Sequence, residues 1–220
     1  MCGRFTLRTK LNLLLDQFAA ELGETQAFDP RYNIAPTQSV LAIRHPRQLV
    51  ALKWGLIPSW AKDAKIASST INARGDTVAD KPAFRAAFKK RRCLVLADGY
   101  YEWLREGKAK LPHLYEMDDG RPFALAGLWE WWGGPDGKSP VETCSLITTD
   151  ANELAATVHD RMPVILPEAE YDLWLDPEFQ DRDKLLSMLR PFPVDEMTVR
   201  PVSQYVNNAR NQGPECVAPL

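Results

Sequence analysis

Apolar residues follow two different spacings along the chain, and these spacings predict where helices and strands form. Over residues 10–22, leucines and Phe18 recur every three or four positions, as on one face of an amphipathic helix. Short apolar or alternating runs bounded by Gly, Pro, Asn or Asp are typical of strands. These runs are residues 39–44, 49–54, 94–97, 100–104, 114–117, 123–129, 145–149 and 197–202.

The order of these elements indicates the fold class. Residues 45–47 separate two of the predicted strands as a hairpin turn would, and residues 28–36 form a turn-rich segment with prolines at 30 and 36. A basic helix is expected over 81–90, and acidic surface helices over 168–175 and 183–189. Because strands outnumber helices and follow one another without helical crossovers, we predict an α+β fold with a largely antiparallel β core and peripheral helices. A length of 220 residues favours one domain.

Composition and cysteine usage narrow the class of protein further. The chain is 45% hydrophobic and 25% charged, which is ordinary for a globular protein and excludes disordered, collagen-like and coiled-coil chains. No run of 18 apolar residues is present, and the start lacks the apolar stretch of a signal peptide. The four cysteines and three histidines show no zinc-ligand spacing. We therefore expect a cytoplasmic protein with reduced thiols, no metal and no membrane association.

Charge is distributed unevenly along the chain. The formal net charge is −2, which argues against a polyanionic partner. However, residues 1–110 contain 19 Lys and Arg against 10 Asp and Glu, whereas residues 111–220 contain 8 against 19. Such asymmetry indicates either a face that binds a polyanion or two halves of one fold that attract each other.

Cys2 has the most distinctive chemistry available to any residue of the chain. If the initiator Met is removed, Cys2 carries an amine and a thiol on adjacent carbons. Because an α-amine has a reference pKa of about 8, a useful fraction is unprotonated at neutral pH. Such an amine attacks an aldehyde to give a Schiff base, and the neighbouring thiol can then close a five-membered thiazolidine. The alternative is a small buried cysteine with no chemical role.

Three other polar residues stand in apolar or turn-rich surroundings, namely Asn72, Glu102 and His159. Apolar neighbours tend to raise the pKa of a carboxyl group such as that of Glu102. His159 is suited to proton transfer near neutral pH. Each residue could equally have a structural role as a turn cap, a buried histidine or an ion-paired carboxylate. The sequence alone does not show that they meet.

Six short motifs stand out along the chain: CGRF at 2–5, RYNIAP at 31–36, WGLIP at 54–58 with Trp60, NAR at 72–74, ADGYYEW at 97–103 and HDRMP at 159–163. In their order and approximate spacing they resemble the motifs of the SRAP (SOS response-associated peptidase) family over nearly the whole chain. Together they imply a single SRAP domain over residues 1–220 with a barrel-like β core.

The resemblance implies a covalent function, because members of this family cross-link to abasic sites in single-stranded DNA. The α-amine of Cys2, exposed by autocatalytic removal of Met1, would form a Schiff base with C1′ of the opened sugar. The thiol would then close a thiazolidine that shields the site. By the same resemblance, Glu102 would transfer protons, His159 would assist sugar opening and reversal, and Asn72 would hold the N-terminus.

The resemblance also implies DNA contacts and partners. Arg4, Arg74 and Arg161 match phosphate-contacting arginines, which fix register without reading sequence. Pro36 and Trp60 match apolar contacts that support a splayed strand. Thr149 is a further candidate for a phosphate contact. The expected partner is single-stranded DNA containing abasic sites, bound by a monomer without cofactors, which would associate with the nucleoid at damaged DNA.

Three other functions remain open from the sequence. Cys2 and His159 could act as the thiol–imidazole pair of a cysteine peptidase or amidohydrolase. The chain could bind DNA without covalent chemistry, in which case removal of the Cys2 thiol would leave DNA binding intact. It could also be an abasic-site lyase, in which the Schiff base proceeds to strand scission.

Overall fold

Strands form most of the regular structure of the protein. The computed structural model describes residues 2–23 and 28–220. Within these residues the strands are β1 (Phe5–Leu7), β2 (Glu21–Leu22), β3 (Arg31–Ile34), β4 (Ser39–Arg44), β5 (Gln48–Trp54), β6 (Asn72–Arg74), β7 (Arg92–Ala97), β8 (Gly99–Glu106), β9 (Ala109–Met117), β10 (Phe123–Trp132), β11 (Val141–Asp150), β12 (Arg161–Pro163), β13 (Ile165–Leu166) and β14 (Met197–Pro201). The α-helices are α1 (Leu11–Gln17), α2 (Arg85–Lys90), α3 (Glu153–Ala156), α4 (Tyr171–Leu175) and α5 (Arg182–Ser187).

A closed ring of five strands lies at the centre of the molecule. Strands β11, β10, β7, β4 and β5 are neighbours in that order, and all four of these pairs are antiparallel. Strand β5 also pairs in parallel with β11, and this contact closes the ring. All six residues of β7 are buried, as expected for a strand covered on both faces. The barrel-like, largely antiparallel α+β fold is thereby confirmed.

A second sheet carries the start of the chain. Its strand order is β14-β9-β8-β1-β3, so β1 lies between β8 and β3. Phe5 of β1 packs on Trp54 of the barrel with ring centroids 5.2 Å apart, and both side chains are fully buried. This aromatic contact ties the two sheets into one hydrophobic core. It also places the residues just before β1 at the junction of the sheets.

The helices are short and lie outside the barrel, and a buried arginine attaches two of them. Arg92 at the start of β7 donates to the carbonyl oxygens of Phe88 and Lys89 in α2 and of Trp174 in α4. Burial lowers the pKa of Arg92 to about 10, and five backbone carbonyls satisfy its donors in place of a carboxylate. None of the helices in the described part of the chain is long and apolar enough to span a membrane.

Several predicted elements differ from the observed ones in extent. The predicted helix over 10–22 ends at Gln17, because Ala19 has a left-handed φ of 44° and the chain then forms β2 beside β5. The segment 28–36, predicted to be rich in turns, contains β3. The basic helix begins at Arg85 rather than at residue 81. Of the two acidic helices, 168–175 begins with a 3₁₀ turn and buries Trp174, and the other becomes α5.

Candidate active site

Cys2 lies at the junction of the two sheets and is fully buried. Its thiol is 3.9 Å from the carbonyl oxygen of Arg4. The side chain of Asn72, the first residue of β6, donates from Nδ2 to the carbonyl oxygen of Cys2 at 2.8 Å. The other amide atom, Oδ1 of Asn72, is buried and has no hydrogen-bond partner among the described residues. Asn72 therefore holds Cys2 in place and presents an acceptor beside it.

Asp98 anchors the strand that follows Cys2. Its carboxylate accepts hydrogen bonds from the Thr6 hydroxyl at 2.6 Å and from the backbone and side chain of Thr9 at 2.8 and 2.9 Å. It also accepts from the backbone N–H of Arg8 and forms an ion pair with its guanidinium at 3.0 Å. Because these contacts grip both β1 and the residues after it, they fix the position of Cys2 at the other end of the strand.

Glu102 is a buried carboxyl group close to Cys2. It lies on β8, only 6% exposed, directly opposite His113 of β9. Burial raises the pKa of Glu102 above its ordinary value, and the charge of His159 opposes this shift. Burial and then the Glu102 carboxylate raise the pKa of the Cys2 thiol. The two groups are thus electrostatically coupled, and the thiol is neutral near pH 7 in this environment.

His159 lies on the solvent side of the same region. Its side chain is 34% exposed, and its backbone N–H donates to Ala155 at the end of α3. Ring nitrogen Nδ1 accepts a hydrogen bond from the backbone N–H of Arg161 at 3.0 Å, and Asp160 Oδ1 lies 2.8 Å from the same nitrogen. The hydrogen bond from Arg161 holds the ring in the cleft, where His159 and Glu102 face the same space.

The cleft has a volume of about 660 Å³. Arg4 lines it together with Glu102, Val158 and His159, whereas Cys2 is fully buried and does not line it. The four residues predicted to carry chemistry therefore form two linked pairs: Asn72 holds Cys2 by a hydrogen bond, and His159 faces Glu102. The coupling between Cys2 and Glu102 joins these pairs into one site.

The three predicted phosphate-binding arginines differ in how far the protein already engages them. Arg74 is 59% exposed and pairs with Asp76 at 2.7 Å. Arg161 is 9% exposed and is held by Asp150 and by the carbonyl oxygen of Thr148, both at 2.7 Å. Arg74 lies beside Thr148 and Arg161 beside Asp150, so the two arginines flank the end of β11.

Arg4 links the start of the chain to its C-terminal segment. Its Nη1 donates to Asn33 Oδ1 at 2.6 Å and to the carbonyl oxygen of Val206 at 3.0 Å. Its guanidinium lies 5.4 Å from the centre of the Trp103 ring. Burial lowers the pKa of Arg4. Sequence reasoning missed the amide of Asn33, although a fully buried Asn between apolar neighbours is a usable signal.

The other predicted DNA contacts occupy three separate environments. Trp60 is 60% exposed, and the adjacent carbonyl oxygen of Ala61 accepts the indole N–H of Trp132 at 2.7 Å. Pro36 is half-buried in a turn. Thr149 is 8% exposed, and its hydroxyl donates to the carbonyl oxygen of Leu189 at 3.0 Å. Their contacts with DNA stay predictions.

Fold and site together define an α+β domain that buries a cysteine near its N-terminus, beside a carboxyl group in a cleft. Sequence comparison is specific about its family. A model described as SRAP, SOS response associated peptidase, matches residues 1–209, and the chain belongs to this family. The family resemblance seen in the sequence motifs is confirmed.

Relatives and solved structures agree with this assignment. The chain is 43% identical to the abasic site processing protein YoqW of Bacillus subtilis over 223 residues, which cover 99% of each chain. It is 34% identical to the abasic site processing protein HMCES of Xenopus tropicalis, covering 90% of this chain and 68% of that protein. A crystal structure from Bacteroides thetaiotaomicron superposes with a TM-score of 0.91 at 28% identity, covering 100% of both chains. Another, from Bordetella bronchiseptica, gives 0.78 at 26%, covering 92% of this chain and 100% of that one.

Proposed function

We propose that this protein processes abasic sites in DNA by trapping the opened sugar aldehyde with Cys2. One observation carries the proposal. Asn72 donates a hydrogen bond to the carbonyl oxygen of Cys2, and this bond holds Cys2 close to the buried Glu102. The relatives named as abasic site processing proteins support the same substrate. Met1 lies outside the described residues, and the proposal requires its removal, which we assign to the protein itself.

The first covalent step uses the α-amine of Cys2. The unprotonated nitrogen attacks C1′ of the aldehyde, and a carbon–nitrogen bond forms. The carbinolamine then loses its hydroxyl as water, which leaves a Schiff base. Because burial raises the pKa of Glu102, its carboxyl can hold the proton that this departing hydroxyl needs. The unpartnered Oδ1 of Asn72 is an acceptor that can orient the attacking amine.

The second covalent step uses the thiol. Sulfur adds to the imine carbon, and the thiol proton ends on the imine nitrogen, so the thiazolidine has the same atoms as the Schiff base. The raised pKa of the thiol favours this order, because the sulfur keeps its proton until an electrophilic imine is adjacent. Closing the ring removes the imine that would otherwise promote strand scission. His159, on the open side of the cleft, is placed to assist sugar opening and reversal.

DNA binding in this proposal is single-stranded and independent of sequence. Arg74 and Arg161 would contact phosphates at the end of β11, and exposed Trp60 would support a splayed strand. Arg4 would act partly through its hold on the C-terminal segment. Binding by a monomer is sufficient for this arrangement.

A cysteine peptidase is the competing function, since the family description includes the word peptidase. Peptidases of this class attack with a thiolate, and their cysteine has a lowered pKa. Burial shifts the pKa of the Cys2 thiol in the opposite direction. We therefore propose that the protein does not cleave other peptides, and that it cleaves only its own bond between Met1 and Cys2.

The deciding experiment compares substitutions at Cys2 on an abasic single-stranded oligonucleotide in denaturing gels. Wild type should give a heat-stable adduct. The Cys2→Ala variant keeps an N-terminal amine but no thiol, so we expect an adduct only after reduction with borohydride, together with strand scission. Cys93→Ala removes a buried thiol of β7 that does not line the cleft, and it should match wild type. A heat-stable, unreduced adduct from Cys2→Ala would overturn the thiazolidine.

A further inference from the structure

The cleft extends beyond the reacting groups along the hairpin formed by β8 and β9. In addition to the groups already described, Trp103, Leu104, Arg105, Lys110 and Asn207 line it. We call this extension the hairpin arm. The catalytic and DNA-binding groups described above do not include its cations. The hairpin arm is continuous with the space between Glu102 and His159. A ligand that is longer than the reaction centre can therefore extend into the hairpin arm.

Two cations stand directly opposite each other in the hairpin arm. Arg105 of β8 and Lys110 of β9 are cross-strand partners, and both are exposed. Like charges in this position destabilise a sheet unless something neutralises them. In the described part of the chain, no carboxylate forms an ion pair with either residue. An anionic ligand would relieve this repulsion.

The backbone of β8 offers donors at the edge of the strand that faces β1. β1 pairs with β8 only at Gly99 and Tyr100, and the N–H of Tyr101 donates to the carbonyl oxygen of Arg4. Because N–H groups alternate between the two edges of a strand, those of Trp103 and Arg105 point to the edge that β1 has left. Backbone N–H groups are common partners of phosphate oxygens.

Trp103 connects the reaction centre to the two cations. Its indole N–H donates to Asn207 Oδ1 at 2.6 Å, and the Asn207 amide donates to the carbonyl oxygen of Lys110 at 3.2 Å. With Arg4 over its ring, Trp103 is fixed on both sides. A fixed aromatic ring followed by cations is the arrangement that binds single-stranded nucleic acid without regard to sequence.

We propose that the hairpin arm binds the DNA strand on one side of the lesion. Arg105 and Lys110 hold a phosphate between them. Trp103 supports the nucleotide that lies between this phosphate and the reaction centre. This inference rests on the proposed function, because it is the DNA substrate that brings a phosphodiester chain to Glu102. It adds a phosphate site separate from Arg74 and Arg161, which lie at the end of β11.

The test measures binding to a single-stranded oligonucleotide with a stable abasic analogue that lacks an aldehyde. The double variant Arg105→Gln/Lys110→Gln should lower the slope of log affinity against log salt by about 0.7 for each phosphate that it no longer neutralises. Lys108→Gln is the matched control, because Lys108 is an exposed cation of the same hairpin but does not line the cleft. An unchanged slope, an equal effect of Lys108→Gln, or absence of DNA binding by wild type overturns the proposal.

A second arm of the experiment assigns the side of the lesion. Two oligonucleotides carry flanking nucleotides only 5′ or only 3′ of the analogue. The double variant should bind one of them more weakly than wild type and match wild type on the other, whereas equal weakening on both would contradict a local phosphate site. Adduct yield on a reactive abasic oligonucleotide at saturation is measured in parallel. If wild type binds the DNA but forms no adduct, the covalent function is refuted. The binding measurements then still test the hairpin arm independently.

Discussion

At the scale of single residues, the proton-transfer role that we propose for Glu102 has an energetic cost. A carboxyl group whose pKa is raised by burial binds its proton more tightly in the folded than in the unfolded protein. The folded protein consequently loses stability as the pH rises from the ordinary range of a glutamate through the raised pKa. Glu102 therefore destabilises the protein at neutral pH, where we propose that it transfers protons.

Replacing Glu102 should separate these two effects. We expect Glu102→Gln to raise the melting temperature at about pH 8, and to raise it less at about pH 3, where the carboxyl is protonated in both the folded and the unfolded protein. Cross-linking should slow about 100-fold, the scale of general acid–base catalysis. Glu106→Gln, an exposed change on the same strand, should alter neither quantity. A Glu102→Gln protein that is less stable at pH 8, or that reacts at the wild-type rate, contradicts this role.

Asn72 should act on the rate of reaction rather than on DNA affinity. Asn72→Ala removes the hydrogen bond to Cys2 and leaves its carbonyl oxygen without this donor, at a cost of about 1 kcal/mol in unfolding free energy. We expect the single-turnover rate of cross-linking at saturating DNA to fall about tenfold, which corresponds to roughly 1.4 kcal/mol. The dissociation constant for an unreactive abasic analogue should stay unchanged. An unaltered rate would show that the amide does not position Cys2.

At the scale of elements, β1 needs a firm anchor because Cys2 depends on its position. Asp98 provides that anchor at the far end of the strand, through Thr6, Arg8 and Thr9. Asp98→Ala should reduce the free energy of unfolding by about 3 kcal/mol, since it leaves the Thr6 hydroxyl and the backbone N–H groups of Arg8 and Thr9 without their acceptor, although Glu116 still pairs with the Arg8 guanidinium. Urea denaturation measures this reduction. A change below about 0.5 kcal/mol would show that the contacts are not stabilising.

The same scale shows which elements could be predicted from the sequence. β4 has the predicted bounds, because a run of apolar residues before a turn is a local signal. β3 was missed, because its pairing with β1 is a long-range contact and its flanking prolines indicated turns. The helix after residue 10 was predicted to be too long. Its apolar spacing continues to Leu22, but Leu22 belongs to β2, which pairs in parallel with β5.

In the candidate site, the residue types could be predicted from the sequence but their arrangement in space could not. Residue type and neighbours were enough to single out Cys2, Glu102 and His159. Their meeting depends on the register of β1 on β8 and on the turn after α3, which no local pattern contains. The hydrogen bonds from Arg4 to Asn33 and Val206 could not be predicted from the sequence either, because these partners lie 29 and 202 positions away.

At the scale of the whole molecule, the charge asymmetry points to a DNA-binding face, and Arg74 offers the clearest test of it. Arg74→Gln should lower the slope of log affinity against log salt by about 0.7 and leave the melting temperature unchanged, because the side chain is exposed. Arg4→Gln should weaken binding and also reduce stability, because it breaks the contacts to Asn33 and Val206. Filter binding at several salt concentrations, combined with thermal melting, separates the two. An unchanged slope for Arg74→Gln would remove it from the phosphate contacts.

The covalent trapping of an abasic site by Cys2 is tested most directly by the intact mass of the product. Mature protein is incubated with an abasic single-stranded oligonucleotide and analysed by mass spectrometry without reduction. The expected mass is that of the chain without Met1 plus the oligonucleotide, less one water, with the linkage mapped to Cys2. A version carrying extra residues before Cys2 should give no adduct. An undiminished adduct from that blocked version, or strand scission without any adduct from the mature protein, would contradict the account.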